Sequence, residues 1–381
     1  MPGRTDDALV GRKALLADLT GWLGSAGAGR GRSVLLQGEP GVGKSSLAEA
    51  VAGRLSQEGF RVARGWCSAA GMPPYWPWRR ALAPLAATVS FEVAEAGRDE
   101  RAGLFAAVVD ALDLASQERP LLILIEDLHW ADEPSLLLLR TVVDAVPAHA
   151  VALLLTTRDD PLETPEPVRE ALRELPTSLR RVAVPLLDPD AATQLVRLVA
   201  GEGMDDATVR DVVGHTGGNP FFVTEVARLL AATGSAARPG AGRGFVVPPG
   251  VREALRRRLA RLSQPCHALL VAAAVVGQTA VTGRDRVDEP LLSAVSGADP
   301  AQVATLLDEA VRARVLVEDA TGIGRLHLGF AHALVREVLI ADLSPVERGR
   351  LHRRAAPVAG GACWGAGGRA PGLPLDLRRG S

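Results

Sequence analysis

One run of eight residues limits what this chain can fold into more than any other. Gly38-Glu39-Pro40-Gly41-Val42-Gly43-Lys44-Ser45 is a complete G-x-x-x-x-G-K-S/T loop. Before it lies Ser33-Val34-Leu35-Leu36-Gln37, a short apolar run of the buried-strand kind. After it, Ser46-Leu47-Ala48-Glu49-Ala50-Val51-Ala52-Gly53-Arg54-Leu55 carries apolar residues at helical spacing. Strand, glycine-rich turn and helix together turn backbone N–H groups and a helix N-terminus toward one point, an arrangement that suits a phosphate. Of the chain's 43 basic residues only Lys13 and Lys44 are lysines. A compact ammonium on a flexible stem enters a narrow loop where a planar guanidinium fits poorly. The loop and Ser46 behind it, every residue from Gly38 to Ser46, are therefore expected to hold a nucleoside triphosphate.

The 381 residues suffice for two or three domains with sizeable cores. A net charge of −1 gives no global field toward nucleic acid. Cys67, Cys266 and Cys363 are widely spaced with no C-x-x-C pair, which argues against a disulfide framework or a structural zinc and suits a reducing cytoplasm. The N-terminal residues lack the apolar core of a signal peptide, and no apolar run reaches spanning length, so a cytoplasmic protein without membrane partners is expected.

Apolar runs at Val34–Gln37, Leu121–Ile125 and Val151–Thr157 alternate with helical patterns, predicting a parallel sheet wrapped by helices. Residues 61–65 and 182–184 are weaker strand candidates. The predicted fold class is thus α/β, a P-loop NTPase sheet sandwiched by helices, then a helical lid and a winged-helix-like domain. The expected division is an ATPase core over residues 1–165 and a lid over 166–233. A Gly/Ala/Arg-rich linker over 234–246, a helical unit closed by a hairpin over 247–356 and a disordered tail over 357–381 complete it. The hairpin is expected around Thr321-Gly322-Ile323-Gly324.

Hydrolysis requires acid near the metal. Leu121-Leu122-Ile123-Leu124-Ile125-Glu126-Asp127 is an apolar run ending in two carboxylates, the pattern of a Walker B strand. Ser45 would ligate Mg²⁺ directly and Glu126 would hold it through a water. Asp127 would orient or deprotonate the attacking water, although a Glu in the first acidic position leaves open which of the two is the base. Val151–Arg158 is a second buried strand, ending in a cation. Arg158 reads either as a γ-phosphate sensor or as a surface arginine at a strand end.

Glu126-Asp127-Leu128-His129-Trp130-Ala131-Asp132 resembles the signature of the STAND-type AAA ATPases found in large ATP-binding LuxR-type transcriptional regulators. Four further segments are similar to that family: Leu9-Val10-Gly11-Arg12, Pro73-Pro74-Tyr75-Trp76-Pro77-Trp78, Gly217-Gly218-Asn219-Pro220-Phe221-Phe222 and Phe330-Ala331-His332-Ala333-Leu334-Val335-Arg336-Glu337. The resemblance spans roughly residues 8 to 356. It implies that Gly11 and Arg12 pack near the adenine and that Pro220 approaches the base. It also implies that His332 meets the ADP β-phosphate. Locally, Pro220 reads equally well as a helix-start proline and His332 as a core histidine. Lys13-Ala14-Leu15 departs from the family, which carries an acid there. Family members continue into helical repeats and a helix-turn-helix where this chain turns Gly/Arg-rich, so a truncated relative is expected.

The expected function is an ATP- and ADP-binding, Mg²⁺-dependent, slowly hydrolysing switch in signalling or transcriptional regulation, with self-association or a protein partner in the ATP state. The alternatives are a DNA-binding regulator acting through the basic run Arg256-Arg257-Arg258, and a remnant that only binds ATP. Direct DNA contact is not expected, because Glu253 interrupts that run and such runs are usually solvated faces.

Overall fold

The computed structural model describes residues 9–68, 72–85, 89, 91, 98–160, 164–233, 247–279, 286–287, 289–319 and 327–362. They fall into two compact units divided between Val251 and Arg252. In the first unit β1 (Arg32–Gly38), β2 (Arg61–Trp66), β3 (Leu121–Glu126), β4 (Val151–Arg158) and β5 (Leu179–Ala183) form one sheet in the order β2-β3-β4-β1-β5. All four pairings are parallel. Each therefore needs a crossover, supplied by α2 (Lys44–Gln57), α3 (Trp76–Leu82), α4 (Arg98–Glu118), α5 (Glu133–Ala145) and α6 (Glu166–Arg173), while α1 (Lys13–Gly24) precedes β1.

The strands read as unbroken apolar runs because both faces of the sheet are covered. Strand parity sorts them. Val34, Leu36, Leu122, Leu124 and Leu154 meet Leu16, Leu19, Leu47, Val51 and Leu55 of α1 and α2. Leu35, Ile123, Ile125, Leu153 and Leu155 face the other way, onto Val108, Leu112, Leu138, Leu139 and Leu172 of α4, α5 and α6. Tyr75 and Trp78 are buried in this second layer, where Tyr75 N–H donates to Asp132 Oδ1 (3.3 Å) and Trp78 Nε1 to Ser135 O (3.1 Å). Asp132 in turn caps α5 by accepting from Ser135 N–H at 2.9 Å.

Two features of the sheet matter for the site. β4 lies between the carboxylate strand β3 and β1. Sequence order cannot show this, since parallel crossovers permit a later strand to insert. The sheet also continues past residue 165. β5 pairs with β1 from Leu179 to Ala183, and the helices expected for a lid begin only at α7 (Pro189–Ala200), followed by α8 (Asp206–Thr216) and α9 (Pro220–Thr233). As an edge strand with half-exposed Arg180 and exposed Arg181, β5 lacks the apolar run that made the others legible.

The second unit contains α10 (Pro249–Leu259), which straddles the division, then α11 (Gln264–Thr279), β6 (Arg286–Val287), α12 (Glu289–Ser296) and α13 (Pro300–Arg312). β7 (Leu316–Asp319), β8 (His327–Phe330), α14 (Ala333–Ala341) and α15 (Pro345–Ala362) complete it. The strands form an antiparallel sheet ordered β6-β8-β7. The expected linker at residues 234–246 and the turn at 321–324 lie outside the described residues, whereas α15 runs past Pro357 to Ala362. Among the described residues no helix is long and apolar enough to cross a membrane.

Candidate functional site

The glycine-rich loop leaves β1 at Gly38 and enters α2 at Lys44. Gly41 (φ +79°) and Gly43 (φ +96°) take left-handed conformations that residues with a Cβ rarely adopt, which bends the loop back on itself. Lys44 is 7% exposed, and its Nζ donates to Gly38 O (2.8 Å) and Glu39 O (2.9 Å). The ammonium thus sits inside the loop, held by carbonyls that a phosphate would outcompete in charge.

Ser45, at the start of α2, donates its hydroxyl to the Glu126 carboxylate. Burial pushes the Glu126 carboxyl above its ordinary range; the Ser45 bond opposes this, while Asp127 and Glu49 add to it. The Ser45 hydroxyl beside the half-buried Glu126 carboxylate is an oxygen-donor pair suited to a hard divalent cation. Mg²⁺ fits these residues. No group of three or more His, Cys, Asp or Glu that could hold a metal ion gathers among the described residues.

Asp127 follows β3 with φ +59°, rare for a residue other than glycine. Its N–H donates to Thr156 Oγ1 (3.0 Å) on the intervening strand β4, which holds the turn. Thr156 was not singled out from the sequence; its signal was a buried hydroxyl inside an apolar strand. His129 is wholly buried, with Nδ1 3.8 Å from Asp127 Oδ1. Arg158, at the tip of β4, is level with Gly38 in the strand register. Its guanidinium stacks on Trp130 at 4.9 Å, and it lines a small cavity of about 160 Å³ with Arg169, Arg173 and Arg181.

A larger cavity of about 360 Å³ opens beside the loop. Gly41, Val42, Gly43 and Ser46 form one wall, Leu9, Val10 and Arg12 a second, and Pro220, Phe221 and Thr224 of α9 a third. Gly11 packs where a Cβ would lie 2.5 Å from Ala191 Cβ. Arg12 is buried and donates to Pro185 O; desolvation lowers its pKa, and Asp188 opposes that shift. The structure thus brings the loop, Arg12 and Pro220 around one cavity. Leu9, Val10 and Phe221 lay in quoted motifs without being assigned to the site. His332 belongs to the second unit, buried at the N-cap position of α14.

The basic run of α10, the alternative candidate for DNA contact, is engaged with protein groups. Arg258 is buried and donates to Ala313 O (2.9 Å) and Arg314 O (3.2 Å). Arg256 pairs with Asp342, and Arg257 with Glu253 at 3.7 Å.

A parallel sheet with its glycine-rich loop after β1 and its acids after β3, two strands away, is the P-loop NTPase fold. Residues 8–156 match the family model of the AAA ATPase domain. The Walker-type ATPase of Pyrococcus abyssi shares the fold, with a TM-score of 0.55 and 15% identity over 89% of this chain and 98% of that one. A STAND protein with a tetratricopeptide repeat sensor from Pyrococcus horikoshii aligns at 15% identity over 92% of this chain and 45% of its own, with a TM-score of 0.36. An uncharacterized protein of Rhizobium meliloti (strain 1021) is 26% identical over 265 residues, 65% of this chain. The chain spans 23% of that relative's length.

Proposed function

We propose that the chain binds ATP and ADP with Mg²⁺ between its glycine-rich loop and the helices α7–α9, hydrolyses ATP slowly, and uses the exchange as a conformational switch in signalling or transcriptional regulation. The observation that carries this reading is the shared cavity. One wall is the phosphate loop and another is the N-terminus of α9, so a nucleotide there touches two elements whose spacing it can set. Adenine lies against Leu9, Val10 and Pro220, and the phosphates lie over residues 38–46 with Lys44 on the terminal ones. Ser45 and Glu126 would hold Mg²⁺, which would supply positive charge to offset that of the phosphates. Asp127, held by Thr156, orients the attacking water, and Glu126 keeps the cation's water shell in place. Arg158 reports the terminal phosphate from the tip of β4. In the second unit, the three-stranded sheet with its helices supports a winged-helix-like module.

A switch must differ in shape or association between its two nucleotide states. Multi-angle light scattering and small-angle X-ray scattering on the full chain, with ADP·Mg²⁺ and then with a non-hydrolysable ATP analogue, test this. A larger assembly or a changed radius with the triphosphate supports the reading. The same mass and profile in both states would sink the switch.

A further inference from the structure

The side chain that joins lid to loop is Asn219. It precedes α9 and is 1% exposed. Its Oδ1 accepts from Phe221 N–H at 3.1 Å, the bond of an N-cap residue, with Pro220 in the first helical position. A cap needs only that oxygen, yet the amide nitrogen is also engaged. Nδ2 donates to Pro40 O at 3.0 Å, across 179 residues of sequence and onto the phosphate loop itself. Next to it, Phe221 N–H lies 3.3 Å from Gly41 O. The contact is close: a Cβ on Gly41 would lie 2.8 Å from Phe221 Cβ and 3.0 Å from Asn219 Oδ1.

We propose that Asn219 is a positioning residue that latches α9 to the phosphate loop, so that lid closure and nucleotide binding hold each other in place; this rests on the nucleotide-site reading above. The reason lies in the peptide plane. A trans peptide points its C=O and the following N–H in opposite directions. Holding Pro40 O toward the lid therefore turns Gly41 N–H away from it, presenting one of the donors that a phosphate needs. An open lid releases that carbonyl and leaves the loop donor undirected. A bound phosphate, by fixing the loop, presents Pro40 O and Gly41 O to the lid. Coupling of this kind is reciprocal by thermodynamic necessity. Serine could cap α9 equally well but is too short to reach Pro40, so capping alone does not call for asparagine here.

Two variants of the full chain separate latch from cap. Asn219→Ser retains a capping oxygen and loses the reach; Asn219→Asp retains the oxygen and the length but loses the donor. A fluorescent ADP bearing an N-methylanthraniloyl group measures affinity, and amide hydrogen exchange over residues 220–226 measures the lid with and without ADP. Wild type should bind the probe and gain protection in this segment. Both variants should melt within about 4 °C of wild type without nucleotide, yet bind about tenfold more weakly and gain little protection. Variants that match wild type in affinity and protection overturn the latch while leaving the nucleotide site standing. A wild type that binds no probe removes the nucleotide-site reading, and the latch with it.

Discussion

Arg258→Ala and Arg257→Ala sit side by side on α10 and should behave very differently. The Arg258 guanidinium is 9% exposed and bonds the carbonyls of Ala313 and Arg314 at 2.9 and 3.2 Å, just past the end of α13. Those carbonyls belong to the negative end of the helix dipole, and Arg314 holds a left-handed φ of +53°. A hydrogen bond to a charged group contributes about 1.5–3 kcal/mol. The two bonds share one nitrogen, so they do not add in full, and truncation relieves the burial of a charge. A net loss of about 2–3 kcal/mol follows. Arg257 has a side chain 71% exposed and a 3.7 Å pair with Glu253, so its removal should matter by about 0.3–0.5 kcal/mol. Hydrogen exchange on the full chain, followed in peptides covering residues 300–316, reads both. Arg258→Ala should speed exchange about 30- to 150-fold and Arg257→Ala less than about threefold, since each 1.4 kcal/mol is a factor of ten. Equal effects would refute the assignment of Arg258 to the fold. So would a pair of stable variants that both lose binding to duplex DNA, the result a phosphate-contacting helix requires.

Other consequences follow from the site and its supports. Gly218 has φ +76°, and a Cβ there would lie 2.2 Å from Leu187 O. Gly218→Ala should therefore lose about 2–4 kcal/mol in urea unfolding followed by tryptophan fluorescence. Asp127→Asn keeps a side chain that tolerates the left-handed turn, so it should melt like wild type while slowing single-turnover ATP hydrolysis by about 10²- to 10⁴-fold. Glu126→Gln should instead raise the Mg²⁺ concentration needed for half-maximal turnover; the reverse pattern would exchange the two roles. Burial, with Asp132 and Asp127 adding to it, pushes the Cys67 thiol up to about 12, and burial with Glu309 does the same for Cys266. Neither should be alkylated by iodoacetamide at pH 8 in the native protein, and both should be in denaturant, as peptide mass spectrometry reads.

The parts of the fold legible in the sequence are those whose cause is local. β1, the loop and α2 form a contiguous unit, and the apolar runs of β3 and β4 are buried on both faces, so composition alone marks them. Strand order depends on which crossover packs where, and β4 entered between β1 and β3 without a trace in the motif spacing. The Arg256-Arg257-Arg258 run illustrates a signal present but passed over. Val251, Leu255, Leu259 and Leu262 are buried, and position 258 falls on the same helical stripe, three residues after Leu255. Periodicity thus places one of the three arginines inside. Asn219 is the opposite case. Its motif was visible and its proline drew attention, but the partner of its amide lies 179 residues away.

Isothermal titration calorimetry of ATP·Mg²⁺ into the full chain, beside Lys44→Ala, tests the central claim most directly. Lys44 is the buried cation inside the loop, bonded to Gly38 O and Glu39 O. Wild type should bind one ATP per chain, and Lys44→Ala should bind at least about a hundredfold more weakly, the loss of a desolvated charge contact with phosphate. No heat of binding in wild type, or equal affinity in the two proteins, would contradict the account.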